Sequence, residues 1–430
     1  MRSLKLVWLA VAVVGLTLGL AACGGDDDGD GGEAQLDLVI GDSVPLSGDL
    51  ADFGPPGEKA ADVAIDQINE AIDEAGVDHT VEIVHEDNSG GADPQAAVQA
   101  ARKLVESDGA SCIAGAWASA DTIPTAESVA IPEEVLLISP ASTSDEITGL
   151  EDDGLVNRTS PPDSFQGPTL SRYLVEEALG GAEGNTVNIG ARNDAYGTGL
   201  ADSFAAAWEE AGGEVGEEVV YDIKLPNYDT EADQIVSGNP AGIIIVDFPE
   251  TYNKVGPALV RAGFDPESTF VTDGLVSSGL AEGAGDDAVN GLRGTAPGVP
   301  DGDPSEEAFD ELFTAAEPRD VERQTFDAQN FDAVMLCYLA AVAAGSTDGA
   351  DMAAEVRDIS GPPGDQYTFE QLPEAIEALQ NGDDIDYQGA SGPVDMDEAG
   401  DATSGVYDIY EFREGAPEPT DEIEVTPPEE

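Results

Sequence analysis

Short apolar runs typical of strands alternate with amphipathic segments typical of helices from Leu36 onward. Residues 38–41 form the first apolar run, and Ala60, Ala64 and Ile68 then recur at helical spacing. Three more strand-like runs lie at residues 81–84, 112–115 and 135–138. Because strands that alternate with helices pair in parallel, this pattern predicts an α/β fold with helices on both faces of a parallel sheet.

The same alternation begins again after Pro161 and Pro162. Further strand-like runs lie at residues 186–189, 219–221, 242–246 and 270–272, and a strongly apolar helix is predicted over 326–344. The 430 residues are enough for two domains. A second unit of the same kind therefore predicts a second, similar lobe.

The N-terminus has the pattern of a secretory signal. Arg2 and Lys5 precede an apolar run at residues 6–20, which is too short to span a bilayer, and small residues follow it. Cys23 comes directly after two alanines, as in the bacterial lipobox. We predict a signal peptide over residues 1–22 and lipidation at Cys23, which would hold the protein on the outer face of the cytoplasmic membrane. The alternative is an ordinary secretory signal with an incidental cysteine.

Charge excludes some classes of partner. The chain has 89 Asp and Glu against 16 Lys and Arg, for a net charge of −73. So negative a protein repels nucleic acid and anionic lipid, so we expect no nucleic-acid partner. The excess is spread along the chain, which favours a solvated, halophilic surface over recruitment of cationic substrates. The Gly- and Asp-rich residues 23–35 are typical of a flexible tether.

Two cysteines remain after Cys23. Cys112 lies in a strand-like run and Cys337 in a helix-like run. Disulfides persist in an oxidising compartment, but a pair forms only if the fold brings the Cα atoms within about 7 Å. A disulfide and two separate buried thiols are both compatible with the sequence.

Catalytic motifs are absent from the sequence. It contains no phosphate-binding loop, no His-Glu-x-x-His metal helix and no Gly-x-Ser-x-Gly nucleophile turn. The two histidines, His79 and His85, flank one short strand, and nothing assembles a nucleophile, a base and an orienting group. We therefore predict binding without turnover: no enzyme, no cofactor and no metal.

Hydroxyl-rich segments follow two of the predicted strands. Ligands of parallel α/β sheets sit beyond the carboxyl ends of strands. Residues 117–122 follow one strand and residues 139–144 follow the next, and both supply hydroxyls and free N–H groups near a helix start. This arrangement suits a carboxylate. The alternative is that Ser119 and Thr143 simply cap helices.

Short motifs, each weak alone, recur in a characteristic order. They are residues 44–48 (Val-Pro-Leu-Ser-Gly), 53–54, 57, 115–119 (Gly-Ala-Trp-Ala-Ser), 138–143 (Ile-Ser-Pro-Ala-Ser-Thr), 157–159, 166–168, 196–200 (Tyr-Gly-Thr-Gly-Leu) and 331–334. By their order and spacing, the chain from Leu36 to Phe412 resembles the leucine/isoleucine/valine-binding proteins, the branched-chain amino acid substrate-binding proteins of ABC transporters. These are type I periplasmic binding proteins.

The resemblance implies two doubly wound parallel-sheet lobes joined by a three-segment hinge. The hinge segments are expected near residues 158–161, 297–300 and 400–405. Lobe 1 is predicted over residues 36–158 plus 299–402, and lobe 2 over 159–298 plus 403–416. The acidic tail at residues 417–430 is expected to be disordered.

The resemblance also assigns roles to individual residues. Ser119 and Thr143, with backbone groups around Ala141 and Ser142, would hold the ligand's α-carboxylate. Asp273, which follows a predicted strand, falls where the family places a carboxylate for the α-ammonium. The alternative for Asp273 is an ordinary turn residue.

Aromatic residues complete the implied pocket. Tyr196 would close over the ligand from lobe 2, while Phe53, Trp117 and Phe248 would shape the pocket, with ordinary packing as their alternative. The family usually has Glu in place of Asp273 and Tyr in place of Phe53 and Phe248. A shorter acid and fewer hydroxyls change which polar parts of a ligand are tolerated, so amides, urea-like solutes and other amino acids stay open.

Together these features predict an extracytoplasmic solute-binding lipoprotein. It would capture an amino acid or a related small polar solute in a cleft between the lobes, close by hinge motion and deliver the ligand to an ABC importer. Its partners would be the permease subunits and the membrane, and the protein itself a monomer. The alternatives are a ligand-sensing receptor component that acts in signalling and an extracytoplasmic enzyme on the same fold.

Overall fold

The computed structural model describes residues 35–300 and 302–425. The predicted signal peptide at residues 1–22, the lipidation site Cys23, the tether up to residue 34 and the last five residues of the predicted tail lie outside the described residues. Within those ranges no single helix is long and apolar enough to cross a bilayer, while one bent pair of helices passes the same test of length and composition.

The first part of the chain builds a five-stranded parallel sheet, and the part of the molecule built on it is called lobe 1. Its elements are β1 (Leu36–Val44), α1 (Gly54–Ala75), β2 (His79–Asp87), α2 (Pro94–Glu106), β3 (Cys112–Ala114), α3 (Ser119–Thr125), β4 (Leu136–Ser139), α4 (Asp145–Thr148) and β5 (Val156–Arg158). The strand order is β2-β1-β3-β4-β5. Prolines at the start of α1 and α2 and an Asp93 side chain that accepts from Gln95 N fix where these helices begin.

The chain then enters a seven-stranded sheet, and the part built on it is called lobe 2. Its elements are α5 (Asp163–Tyr173), β6 (Thr186–Arg192), α6 (Ala195–Glu210), β7 (Glu214–Tyr221), α7 (Asp229–Ile235), β8 (Gly242–Val246), α8 (Pro249–Ala262), β9 (Thr269–Val271), α9 (Leu280–Ala284), α10 (Asp286–Val289) and β10 (Arg293–Gly298). Strands β6 to β10 pair in parallel.

A third segment returns to lobe 1. Its elements are α11 (Pro304–Ala315), α12 (Asp327–Ala344), α13 (Gly349–Ser360), β11 (Asp365–Thr368), α14 (Leu372–Asn381), β12 (Ile385–Gly389) and β13 (Gly392–Pro393). Helix α12 is buried in the lobe 1 core against α1 and the sheet. Cys337 of α12 and Cys112 of β3 form a disulfide with Cα atoms 5.9 Å apart, which decides between the two alternatives compatible with the sequence.

The last segment corrects two expectations about lobe 2. Strands β14 (Gly405–Arg413) and β15 (Ala416–Val425) add to the sheet in antiparallel pairing, in the order β15-β14-β10-β9-β8-β6-β7, so this sheet is mixed rather than wholly parallel. The prediction of disorder from residue 417 is wrong as far as residue 425. Glu414 and Gly415, with φ of 52° and 88°, connect the two strands, and Arg413 pairs with Ala416 on either side of this turn. A two-residue turn with both φ positive matches the twist of a hairpin, so the acidic tail pairs with β14.

Candidate ligand-binding site

A small cavity lies between the lobes. Lobe 1 supplies Leu50, Phe53, Trp117, Ala118, Ser119, Ala141 and Phe326, and lobe 2 supplies Tyr196, Phe248, Asp273 and Gly274. The cavity leaves about 10 Å³ for the centre of a water molecule, which is roughly the room for one water. Apart from Phe326, these residues all follow the carboxyl end of a parallel strand, where α/β sheets place ligands.

Seven of the nine predicted binding residues line this cavity. Ser142 and Thr143 are buried and do not line it. The Ser142 hydroxyl contacts Thr122 Oγ1 at 2.7 Å and donates to Trp117 O at 3.0 Å, so it holds the two hydroxyl-rich segments together. Thr143 is buried beside Asp163, whose N–H donates to Thr143 O at 2.7 Å, and burial raises the pKa of that carboxyl well above its usual range.

The polar part of the lobe 1 wall is Ser119. It is the first residue of α3, and its Oγ accepts a hydrogen bond from Ser144 N at 3.2 Å. Ala141 lies beside it in the cavity wall. The wall therefore combines one hydroxyl with main-chain groups and small side chains, a surface that can receive an anionic head group closely.

The position of Trp117 depends on a glycine in α1. A Cβ at Gly57 of α1 would lie 2.4 Å from the Trp117 ring, so glycine is required for the indole to pack against the start of this helix. The indole is 1% exposed and lines the cavity. The contact of Gly57 with Trp117 brings together two of the short motifs that lie far apart in the chain.

On the lobe 2 side, the cavity is lined by the Asp273 carboxylate, which is hydrogen-bonded to Tyr196, and by the stacked rings of Tyr196 and Phe248. The Tyr196 hydroxyl donates to Asp273 Oδ1 at 2.8 Å, lies 2.7 Å from Thr272 Oγ1 and accepts from Gly274 N at 3.2 Å. Its ring stacks on Phe248 with centroids 4.9 Å apart. Burial raises the pKa of Asp273 to about 6, against the effect of the Tyr196 hydrogen bond, so the carboxylate is ionised at neutral pH.

Phe326 was not predicted as a binding residue. It precedes α12 with φ of 73° and ψ of −1°, a left-handed conformation that is unusual for a bulky residue. The next residue fixes it, because the Asp327 carboxylate accepts from Gln324 N at 2.9 Å and from Arg323 Nε at 2.8 Å. No sequence pattern predicts a positive φ at Phe326. What the sequence does indicate at this position is the start of the apolar helix.

The two histidines and the disulfide-bonded Cys112 and Cys337 lie outside the cavity lining. His79 contacts Tyr338 OH, and His85 contacts Asp42 and Asp62 at 2.7 and 3.2 Å. Burial opposes protonation of His85, but these two carboxylates together raise its pKa to about 10. No group of three or more His, Cys, Asp or Glu in the part of the chain that the structure describes is arranged to hold a metal ion.

Comparison with known proteins places this architecture. The family model described as periplasmic binding protein matches residues 37–416, so the chain belongs to the periplasmic binding protein family. It is 28% identical over 395 residues to Leu/Ile/Val-binding protein homolog 1 of Brucella abortus, which covers 90% of this chain and 93% of the relative. These findings confirm the resemblance to the type I, branched-chain amino acid group within the family.

Two further similarities bear on fold and role. The crystal structure of a leucine-binding protein, LivK, from Thermotoga maritima aligns with a TM-score of 0.71 at 23% identity, covering 90% of this chain and 98% of that one, which confirms the type I α/β fold. The chemotactic signal transduction system substrate-binding protein BasB of Halobacterium salinarum is 26% identical over 373 residues, covering 86% of this chain and 85% of the relative.

Proposed function

We propose that this protein captures a zwitterionic amino acid, or a closely related small solute, between its two lobes and delivers it to an ABC importer. Lipid attached at Cys23 would keep it at the outer face of the membrane. The observation that carries the proposal is that Asp273 of lobe 2 and Ser119 of lobe 1 line one cavity. An acid and an anion-binding wall on opposite sides suit a ligand with a cationic and an anionic end.

The two ends of the ligand would meet different groups. Its ammonium would lie against the Asp273 carboxylate, which Tyr196 holds in place at 2.8 Å. Its carboxylate would take the Ser119 hydroxyl and main-chain N–H groups beside Ala141, with Ser142 and Thr143 supporting them from behind. Charge-assisted hydrogen bonds of this kind are stronger than neutral ones, so they would supply most of the orientation.

The ligand's side chain would meet an apolar lining. Leu50, Phe53, Trp117, Phe248 and Phe326 contribute hydrocarbon and aromatic surface to the cavity. Phenyl rings offer no hydroxyl to a polar side chain, and buried polar groups without partners are costly. The lining therefore favours leucine, isoleucine, valine or another apolar amino acid over a polar one.

Binding requires that the lobes separate and close. The cavity is about the size of one water, so an amino acid would enter an opened cleft and be enclosed by hinge closure. A ligand that contacts both walls favours the closed form by its differential affinity. A permease would then recognise the closed arrangement of the lobes.

A second candidate function is ligand sensing for chemotaxis. It is favoured by the similarity to BasB, whose name assigns it to a chemotactic signal transduction system. Uptake of labelled leucine by cells with and without the gene, compared with swimming toward leucine, separates the two roles. Loss of uptake alone supports import, and loss of swimming alone supports sensing.

The binding test is a thermal-shift and calorimetric screen of amino acids and amides in high salt. A ligand should raise the melting temperature by mass action, and Asp273→Ala and Ser119→Ala should each reduce the shift. Asp233→Ala is the control, because Asp233 is exposed on α7 of the same lobe. A full shift in both site variants would show that the ligand binds elsewhere.

A further inference from the structure

Behind Phe248, one arginine of lobe 2 is buried among acids from both lobes. The Arg192 side chain is fully buried; its Nε donates to Asp194 at 2.5 Å, and its Nη1 lies 3.9 Å from Asp247. Its Nη2 donates to Asp49 Oδ2 at 2.9 Å. Asp194 and Asp247 belong to lobe 2, whereas Asp49 lies on the loop after β1 in lobe 1. One of the three ion pairs therefore crosses between the lobes.

The same arginine is in contact with the cavity wall. Its guanidinium lies 3.8 Å from the centroid of the Phe248 ring, and Phe248 stacks on Tyr196. Gly91 of lobe 1 completes the contact: its φ is 82°, and a Cβ there would lie 3.2 Å from Phe248 and 3.5 Å from Arg192. A ligand that orders Tyr196 would therefore order Phe248 and the guanidinium behind it.

The lobe 1 loop that carries Asp49 also approaches lobe 2 at a second point. Asp52 accepts a hydrogen bond from Ser277 Oγ at 2.7 Å, and the next residue, Phe53, lines the cavity. Arg192 keeps Asp194 and Asp247 as neutralising partners when the lobes separate. Closing the lobes adds Asp49, so the pair can form and break with hinge motion without leaving the arginine uncompensated.

We propose that Asp49 and Arg192 form a closure latch, positioning residues that couple the order of Tyr196 and Phe248 to the closed arrangement of the lobes. This inference rests on the proposed function, because it assumes that ligand capture proceeds by closure. Neither latch residue lines the cavity. The latch acts on affinity through the stability of the closed form rather than through direct contact with ligand.

The test is Asp49→Asn in the full mature chain, with L-leucine, L-isoleucine and L-valine as probes. Loss of one partner of a desolvated charge pair acts mainly on dissociation, so the dissociation constant should rise about tenfold, with most of the change in the off-rate. Asp229→Asn is the matched control: it makes the same charge change in an Asp–Arg pair with Arg261 that lies within lobe 2. The control should bind like the unmodified protein.

A purely structural role for Asp49 predicts another result, a lower melting temperature with no specific change in off-rate. Equal affinity and off-rate in Asp49→Asn and the unmodified chain would overturn the latch. Asp49→Glu, which keeps the charge, should recover part of the lost affinity.

Amide hydrogen exchange tests the latch without ligand. Peptides spanning residues 45–53 and 247–252 should exchange faster in Asp49→Asn than in the unmodified chain or Asp229→Asn, and equal exchange would overturn the latch. Failure of the unmodified protein to bind any of the three amino acids would instead count against the proposed function, and the exchange experiment still decides on the latch. The two failures are therefore distinguishable.

Discussion

In lobe 1 the groups that face the cavity are a hydroxyl, small side chains and aromatic rings, whereas in lobe 2 they are a buried acid, a tyrosine and a phenyl ring backed by a buried arginine. Lobe 1 carries the disulfide between α12 and β3, the strand that leads into Ser119. Lobe 2 connects its wall groups by stacking and hydrogen bonds.

The difference suggests a division of labour. Lobe 1, which is cross-linked and lines the cavity with neutral groups, would keep one conformation when a ligand binds. Lobe 2, whose charged groups contact one another, would have the larger change in interaction energy on binding. Conformational coupling requires differential interactions in the two states, and charged, partly desolvated groups supply larger differences than neutral ones. The predictions below test this contrast from the largest expected effect to the smallest.

Replacing both cysteines, Cys112→Ala with Cys337→Ala, should destabilise lobe 1 by roughly 2–5 kcal/mol, because the cross-link restricts the unfolded chain. Unfolding in urea can be followed lobe by lobe, since Trp117 lies in lobe 1 and Trp208 in lobe 2, each observed with the other replaced by Phe. The Trp208 transition should change less. Equal loss at both reporters would mean that the lobes unfold as one unit and that the rigidity is shared.

Asp273→Asn should weaken amino-acid binding about 100-fold, because a ligand ammonium would lose a desolvated charge partner while the shape of the site is kept. Calorimetry measures the change, and Asp233→Asn is the exposed control in the same lobe. If binding survives with less than about threefold loss, the acid of lobe 2 does not meet a cation, and the contrast between the walls fails.

Phe326 tests whether the lobe 1 wall contributes through shape. Phe326→Ala should weaken binding about tenfold by removing cavity lining. Phe326→Gly should bind as weakly but be more stable than the alanine variant by about 1 kcal/mol, because glycine adopts a positive φ without strain. Melting temperatures of the two variants give the comparison; equal stability would show that the left-handed backbone relaxes on substitution.

Binding should depend on pH through Asp273. Its pKa of about 6 in the folded protein means that the ionised form, which a ligand ammonium needs, predominates above pH 6 and is lost as the pH falls through that value. Affinity should therefore fall about tenfold between pH 7 and pH 5. Titrations across this range in the unmodified protein and in Asp273→Asn provide the check, since the variant should lack this dependence.

Much of the site was predictable because it follows from strand ends. Ser119 was found by its place after a predicted strand, whereas the family resemblance assigned Tyr196 and Asp273. All three follow the end of a strand within five residues, and parallel sheets bring such residues to one edge. Phe326 and Arg192 were not found, because their roles depend on contacts between segments far apart in the chain. A lone arginine at the end of a strand looks the same in sequence whether or not an acid of the other lobe meets it.

The prediction of disorder in the C-terminal tail was wrong for a different reason, because the signals for its structure are local. Its carboxylates and prolines predicted disorder, but the Glu414-Gly415 turn and the alternation that places Ile423 inward are local signals for a hairpin. The composition of this segment predicts disorder, whereas its spacing of apolar residues is typical of the strand that the structure has. The mixed sheet of lobe 2 follows from the same hairpin, since β14 and β15 pair antiparallel, whereas the five-stranded sheet of lobe 1 is wholly parallel.

The hairpin of β14 and β15 affects how copies of the protein interact when they are concentrated. Strand β15 is the outermost strand of its sheet, and a bare outer strand invites pairing with a neighbouring molecule. Pro417 and Pro419 remove backbone donors from this rim, and acidic side chains alternate with them. Neighbouring copies would therefore repel one another along β15, where bare sheet edges would otherwise pair and lead to aggregation.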